Sequence, residues 1–197
     1  MKRINGFTII LLVFVIFILG RMYFTSDSFN LRCVISDVDG KQYCVRERKQ
    51  LHKVADLLAR VTNKMKELNL YMKKKYPNKE NVKRLYENFN PHKIYEILPT
   101  SKFTAYSENK GEKMAFCVTK QKKGNKLIDE NTLTFVAIHE LGHIMTESIG
   151  HTEEFWNNFK FLLKNAVKIN IYNPIDYSKE PRTYCGMKIT DNPYYDL

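Results

Sequence analysis

The first apolar segment of the chain is continuous and has no polar face. Residues 7–19 are apolar except for Thr8, and no charged residue stands between Arg3 and Arg21. As a helix, the 17 residues between these arginines would extend roughly 25 Å, which is about the length needed to cross a bilayer. We therefore expect residues 1–30 to form a transmembrane anchor and linker, with a cleavable signal peptide as the alternative.

The charges that flank this segment predict its orientation. Lys2, Arg3 and the terminal amine outweigh Arg21, so the positive-inside bias keeps the N-terminus in the cytosol and sends the following domain across the membrane. The candidate cleavage residues Ser26 and Ser28 lie well beyond the apolar stretch, which disfavours a secreted form. The expected location is therefore single-pass in a membrane.

Beyond residue 30 the hydrophobic period changes between two and about 3.6 residues, which predicts strands and helices in one α+β domain over residues 31–197. The longest helical pattern has apolar residues in steps of three and four from Leu51 to Met72, which indicates one buried stripe. Strands are predicted at 31–36, 41–46, 102–107 and 113–119, and helices at 46–75, 80–89, 131–148 and 152–169. Loops are predicted at 91–101 and 120–130, and a surface tail at 170–197.

The four cysteines are compatible with a domain outside the reducing cytosol. Residues 37–40 are predicted to form the turn of the first hairpin, and with a four-residue loop Cys33 lies opposite Cys44. Opposed cysteines can form a disulfide if their Cα atoms approach within about 7 Å. Cys117 and Cys185 are then the second pair by elimination, and four buried free thiols are the alternative.

The helix predicted at 131–148 is apolar on nearly all sides, which is typical of a central, buried helix. It carries His139 and His143, whose imidazoles leave one face a turn apart and can reach one metal ion at roughly 2.0–2.1 Å. Glu140 between them can reach a water bound to that ion. Gly142 costs about 1 kcal/mol relative to alanine inside a helix, which indicates close approach of a strand or a substrate.

A third metal ligand has to come from beyond this helix. Glu147 would lie some 12 Å along the helix axis from His139, so it is a poor candidate. His151 follows Gly150, which can end the helix in a left-handed conformation and let the chain turn back. The predicted site is a zinc ion on His139, His143 and His151 with one open position, which is the layout of a catalytic zinc.

This arrangement is suited to the hydrolysis of a peptide bond. Zinc lowers the pKa of bound water toward 7 and polarises the scissile carbonyl, and Glu140 would take the proton of the water and deliver it to the leaving amine. One further donor would stabilise the oxyanion, and Tyr172, Tyr177 and Tyr184 are the candidates, in no order. Residues 113–119 could form an edge strand that pairs with an extended substrate.

The basic charge of the chain suggests a second kind of partner. The formal net charge is +11, and residues 46–76 hold ten Lys or Arg against three Asp or Glu. A solvated helix face accounts for such a run, and nothing in the sequence matches a nucleic-acid-binding module. The expected partners are therefore a protein or peptide substrate and the membrane, with nucleic acid as an alternative that is not favoured.

The residues that carry this chemistry resemble a known family. They are His139-Glu140-Leu141-Gly142-His143, Gly150-His151-Thr152 and Phe155-Trp156. In this pattern the chain is similar to the WLM branch of the zincin metallopeptidases, whose close relatives are the SprT-like peptidases. It looks most like versions encoded by large DNA viruses, which share the residue patterns found here at 37–40, 131–135 and 184–186.

The resemblance implies a zincin fold for residues 31–197, with a small mixed sheet, an active-site helix under it and a second helix behind. It also implies zinc on the three histidines and Glu140 as the base. Cellular relatives degrade proteins crosslinked to DNA, but the N-terminal apolar segment departs from that picture. The resulting hypothesis is a zinc metallopeptidase anchored in a host or virion membrane. The alternatives are a structural membrane protein whose zinc only stabilises the fold, and a DNA-associated crosslink peptidase.

Overall fold

The computed structural model describes residues 5–25 and 31–196. Helix α1 (Gly6–Thr25) includes 18 residues, Gly6–Tyr23, that are long and apolar enough to cross a membrane, and none of them is buried. Such an apolar helix near the N-terminus is a feature that both predicted alternatives, an anchor and a signal sequence, share. The predictions that involve Lys2, Arg3, Ser26 and Ser28 fall on residues outside the described ranges.

Five strands form one mixed sheet in the order β1-β2-β3-β5-β4. Strand β3 is parallel to both of its neighbours, whereas the outer pairs β1–β2 and β4–β5 are antiparallel. The strands are β1 (Leu31–Ile35), β2 (Gln42–Arg46), β3 (Ile94–Glu96), β4 (Ala105–Glu108) and β5 (Lys113–Phe116). A mixed sheet that packs with helices confirms the predicted α+β class.

The helices of the domain are α2 (Leu51–Lys75), α3 (Glu80–Asn88), α4 (Glu130–Met145) and α5 (Glu153–Lys168). Helix α4 is central, and the other three pack around it. Helix α4 contacts α2, α3, α5 and strand β4, while α2 packs against β1, β2 and β3. The core therefore lies between the sheet and α2 on one side and the pair α4–α5 on the other.

The first hairpin and both disulfides have the predicted pairing. Cys33 lies opposite Cys44 in the β1–β2 register, and the two form a disulfide. Cys117 and Cys185 form the second disulfide, across 68 positions of sequence. The alternative of four free thiols is therefore wrong.

Helix α2 begins at Leu51 rather than near residue 46, because strand β2 continues through Arg46. The backbone N–H of Arg46 donates to a carboxylate oxygen of Glu96 at 2.7 Å, and Arg48 pairs with the same carboxylate. These contacts hold the end of β2 against β3. The predicted apolar stripe of α2 is confirmed, since the following residues are buried: Ala55, Leu58, Val61, Met65, Leu68 and Met72.

The prediction that residues 113–119 form an edge strand is wrong. Strand β5 is interior, because β3 pairs with it on one side and β4 on the other. Residues 94–96, which form β3, were predicted to be loop. A strand of three residues is too short to show a hydrophobic period of two, so the sequence pattern did not reveal it. The edge strand beside helix α4 is β4, whose second edge pairs with no strand among the described residues.

The C-terminal segment is more than a surface tail. It forms a small hairpin of β6 (Arg182–Tyr184) and β7 (Met187–Ile189), followed by a short 3-10 turn at Pro193–Tyr195. Tyr177 and Tyr184 are buried in the core. The aromatic side chains therefore hold this segment to the domain, which its proline content did not predict.

The turn between β4 and β5 is packed tightly against two helices. Asn109, Lys110 and Gly111 all have positive φ, at 47°, 55° and 116°. A Cβ on Gly111 would lie 2.7 Å from the carbonyl oxygen of Asn88 and 2.9 Å from the Cδ1 atom of Ile144. Because the first of these is a backbone atom at the end of α3, only glycine fits here without moving a helix.

Gly111→Ala is expected to destabilise the protein by about 3 kcal/mol or more, since a left-handed penalty of about 1–2 kcal/mol adds to a steric clash. Gly40 is the matched control, because it has φ 67° but no atom within 4 Å of an added Cβ. Gly40→Ala should therefore lose only the left-handed penalty. The measurement is denaturant unfolding of the full chain in detergent micelles, and equal losses for the two variants would contradict the packing described for this turn.

Candidate metal centre

Helix α4 places one carboxyl group, that of Glu140, inside the core. It begins after Asp129, whose carboxylate accepts the backbone N–H and the hydroxyl of Thr132, both at 2.8 Å. Most of its residues from Thr132 to Met145 are buried, as the all-round apolar pattern predicted. Glu140 is only 6% exposed. A carboxyl group in that position is costly unless a partner offsets the loss of water.

The helix ends at Met145, three residues earlier than predicted. Thr146 leaves the helix with extended backbone, and its N–H and hydroxyl both donate to the carbonyl oxygen of Gly142, at 3.0 and 2.7 Å. Gly150 has the expected positive φ of 89°, but it lies in the following loop and does not end the helix. The chain reversal therefore takes the whole segment 146–151.

This reversal brings the three predicted ligands together. The ring centroids of His139, His143 and His151 are 4.9, 5.0 and 4.9 Å apart, which makes an almost equilateral triangle. The Nε2 atoms of His139 and His151 are 3.1 Å apart, and one ligand atom from each residue lies within 4.8 Å of the others. Two nitrogens at tetrahedral positions around one zinc ion would be about 3.3 Å apart.

Glu147, rejected as a ligand on distance along the helix, points away from this triangle. Its side chain is 81% exposed and pairs with Arg84 at 2.9 Å. The geometry thus supports His151 over Glu147 as the third member of the cluster.

Phe155 forms the floor of the histidine cluster. This buried ring lies 4.3 Å from the ring of His143, 4.8 Å from that of His139 and 4.7 Å from that of His151, measured between centroids. Helix α5 delivers it in its first turn, where the hydroxyl of Thr152 accepts the N–H of Phe155. One aromatic side chain therefore restricts the orientation of all three imidazoles.

Gly142 is explained by this packing and not by a strand or a substrate, as the sequence suggested. A Cβ at this position would lie 3.2 Å from the Cε2 atom of Phe155 and 3.4 Å from the Cβ atom of Phe159. The absence of a side chain lets α4 and α5 approach closely. The close neighbour is thus the second helix.

Burial tunes the protonation of the cluster. Burial, followed by the charges of His143 and His151, lowers the pKa of His139 to about 3. Burial, with smaller contributions from His151 and Lys110, lowers the pKa of His143 to about 4. Burial also raises the pKa of Glu140 to about 8. Both imidazoles are therefore neutral near pH 7, which is the form that binds a metal ion.

The chemistry of these donors fits zinc. Three imidazole nitrogens converge, and the cluster contains no carboxylate or thiolate. Imidazole suits zinc and other late transition metals, whereas calcium and magnesium prefer oxygen ligands. Three protein ligands also leave one tetrahedral position for water or substrate.

Among the three tyrosines, Tyr184 is the one on which the charge of Glu140 acts. It is buried, its hydroxyl donates to the carbonyl oxygen of Thr104 at 3.0 Å, and the charge of Glu140 adds to burial in raising its pKa. Tyr172 and Tyr177 instead pack against Phe135, one helical turn before His139. The structure thereby ranks candidates that the sequence left in no order.

Two residues of the site's surroundings had no clear signal in the sequence. The position of Phe155 entered only through the family resemblance, although an aromatic residue four positions after His151 is visible. Lys110 stands 29 positions before His139, yet its charge acts on His143. Only the tertiary fold brings that turn to the histidines.

Comparison with known proteins finds relatives encoded by viruses. Protein R325 of Acanthamoeba polyphaga mimivirus, described as uncharacterized, is 31% identical over 193 residues, which are 96% of this chain and 95% of the relative. Protein 136R of invertebrate iridescent virus 6 is 36% identical over 58 residues, covering 29% of this chain and 33% of the relative. Protein 042R of invertebrate iridescent virus 3 is 33% identical over 85 residues, covering 42% and 50%.

No protein-family model and no solved structure matches the chain. The mimivirus relative is aligned over nearly its whole length and nearly the whole of this chain. By that identity and coverage, the chain belongs to the same family as mimivirus protein R325.

Proposed function

We propose that the chain is a zinc metallopeptidase with a zincin-like domain, anchored in a membrane by helix α1. The observation that carries the proposal is the near-equilateral triangle of His139, His143 and His151 with the buried Glu140 on the same helix. The WLM-type pattern of residues 139–156 supports the same reading. A buried carboxyl group directly beside a three-nitrogen metal site is the arrangement expected for catalysis.

Zinc held by the three imidazoles would supply a Lewis acid for the scissile carbonyl and lower the pKa of the attacking water toward 7. Glu140 would act as the base that accepts a proton from the attacking water and would return it to the leaving nitrogen. This role requires the ionised carboxylate, which burial opposes and a nearby dication favours. Tyr184, on which the charge of Glu140 acts, is the candidate oxyanion donor among the tyrosines, and its hydroxyl would have to leave the carbonyl oxygen of Thr104 to serve in that role.

The position of strand β4 supports a polypeptide substrate. It is an edge strand, it contacts the helix that carries the site, and Thr104 directly before it accepts the hydroxyl of Tyr184. An extended peptide can add to such an edge through backbone hydrogen bonds. That pairing would lay the substrate backbone alongside helix α4.

Glu140→Gln should retain zinc and reduce the hydrolysis of an unstructured protein such as casein by a factor of about 10²–10⁴, because the amide cannot accept the proton. Glu67→Gln is the matched control, since it makes the same change on an exposed residue of α2 and should keep full activity. The measurements are bound zinc and the rate of peptide-bond cleavage by the full chain in detergent. Undiminished cleavage by Glu140→Gln would remove this residue from the mechanism.

The proposed anchor predicts that the full chain stays in the membrane pellet after alkaline carbonate extraction, with its N-terminus intact. The reason is that the apolar residues of α1 are stable only in the bilayer. Intact-mass measurement of the extracted protein distinguishes anchor from signal peptide. A mature product that begins after Thr25 would contradict the anchor.

A further inference from the structure

The loop at residues 146–151 brings His151 to the metal centre, and a single lysine side chain binds the backbone carbonyls at the start of this loop. The Nζ atom of Lys110 donates to the carbonyl oxygens of Thr146, Glu147 and Ser148 at 2.9, 3.2 and 3.1 Å. An ammonium group has three donors, so all of them are used on three successive carbonyls of this loop. Hydrogen bonds from a charged donor are roughly twice as strong as those between neutral groups.

A carboxylate binds the backbone amide groups of the same loop. The backbone N–H groups of Glu147 and Ser148 donate to the carboxylate of Glu154 at 2.9 and 3.1 Å, and the hydroxyl of Ser148 donates to it at 2.8 Å. The loop therefore lies between a cation that takes its carbonyls and an anion that takes its amides. Its conformation, and with it the position of His151, depends on both.

The backbone around Lys110 is held in place by contacts other than those with the loop. It lies in the turn between β4 and β5, where Gly111 packs directly against Asn88 and Ile144 and accepts the N–H of Asn90 at 3.0 Å. Because Ile144 belongs to α4, this turn is fixed to the helix that carries His139 and His143. Lys110 thus links the loop before His151 to the helix that carries His139 and His143. This link consists of tertiary contacts and is separate from the chain segment that joins the helix to the loop.

We propose that Lys110 is a positioning residue of the metal centre, which holds the 146–148 backbone so that His151 meets His139 and His143 around one ion. This inference rests on the proposed zinc site. It assigns no contact between Lys110 and substrate or metal.

Removing Lys110 would have two opposed effects on zinc affinity. The ammonium carries a positive charge near His143, so its loss would relieve repulsion of a dication. The three carbonyls and the partial negative charge at the end of α4 already offset much of that charge. Loss of the loop's position is therefore the larger effect, and groups that orient metal ligands typically contribute 10–100-fold in affinity.

Lys110→Asn tests this directly, because asparagine tolerates the left-handed backbone of this position but is too short to reach the loop. Zinc affinity of the full chain in detergent is measured by competition with a chromophoric chelator. We expect Lys110→Asn to bind zinc at least about tenfold more weakly than the wild type. Lys110→Arg, which keeps a charged donor at this position, should retain most of the wild-type affinity. Lys93→Met is the charge control, because it removes another lysine charge, one that pairs with Glu112 at 2.9 Å. The zinc affinity of this variant should stay within about twofold of the wild type.

The outcomes separate this inference from the proposed function. If the wild-type chain binds no zinc, the metal centre itself is wrong and the role of Lys110 falls with it. If the wild-type chain binds zinc and Lys110→Asn binds it equally or more tightly, the site stands and the positioning role is overturned. A tenfold loss that Gly40→Ala shares would overturn it too, because that variant loses stability at the β1–β2 turn, and reduced stability alone would then explain the loss.

Discussion

Helix α4 carries a buried carboxyl group and, on either side of it, two partly buried imidazoles. Burial raises the pKa of Glu140 and lowers those of His139 and His143, so all three groups resist charge in the surroundings that the fold gives them. Such an arrangement is costly unless a partner compensates it. A divalent cation at the three nitrogens would compensate it, since it takes the imidazole lone pairs and favours the ionised carboxylate.

The rest of the domain can be understood as the support of that helix. Helix α5 supplies Phe155 under all three rings and approaches closely because Gly142 has no side chain. The disulfide between Cys117 and Cys185 and the backbone hydrogen bond from Cys185 to Thr119 tie the C-terminal hairpin to the end of the sheet. Through that attachment Tyr184 is held in the core, where its hydroxyl donates to the carbonyl oxygen of Thr104. Separate parts of the chain thus converge on one short helical segment.

Local patterns in the sequence predicted the parts of this picture that depend on neighbouring residues. The spacing of His139 and His143 fixes a shared helix face, and the four-residue turn fixes the pairing of Cys33 with Cys44. His151 required an argument about chain reversal, and the chain does bring it to the other two histidines, although the helix ends at Met145 and not at the glycine. What the sequence did not predict depends on contacts between distant segments. Strand β3 is too short to have a period, its pairing with β5 leaves β4 and not β5 at the edge of the sheet, and Lys110 reaches its carbonyls only in the folded chain.

The central claim is that His139, His143 and His151 bind one zinc ion. X-ray absorption at the zinc edge of the loaded full chain tests it most directly, with His151→Ala measured beside the wild type. The account predicts three imidazole nitrogens at about 2.0–2.1 Å with one further light ligand in the wild type, and one imidazole fewer in the variant. An identical imidazole count in the two proteins, or sulfur at about 2.3 Å, would contradict it.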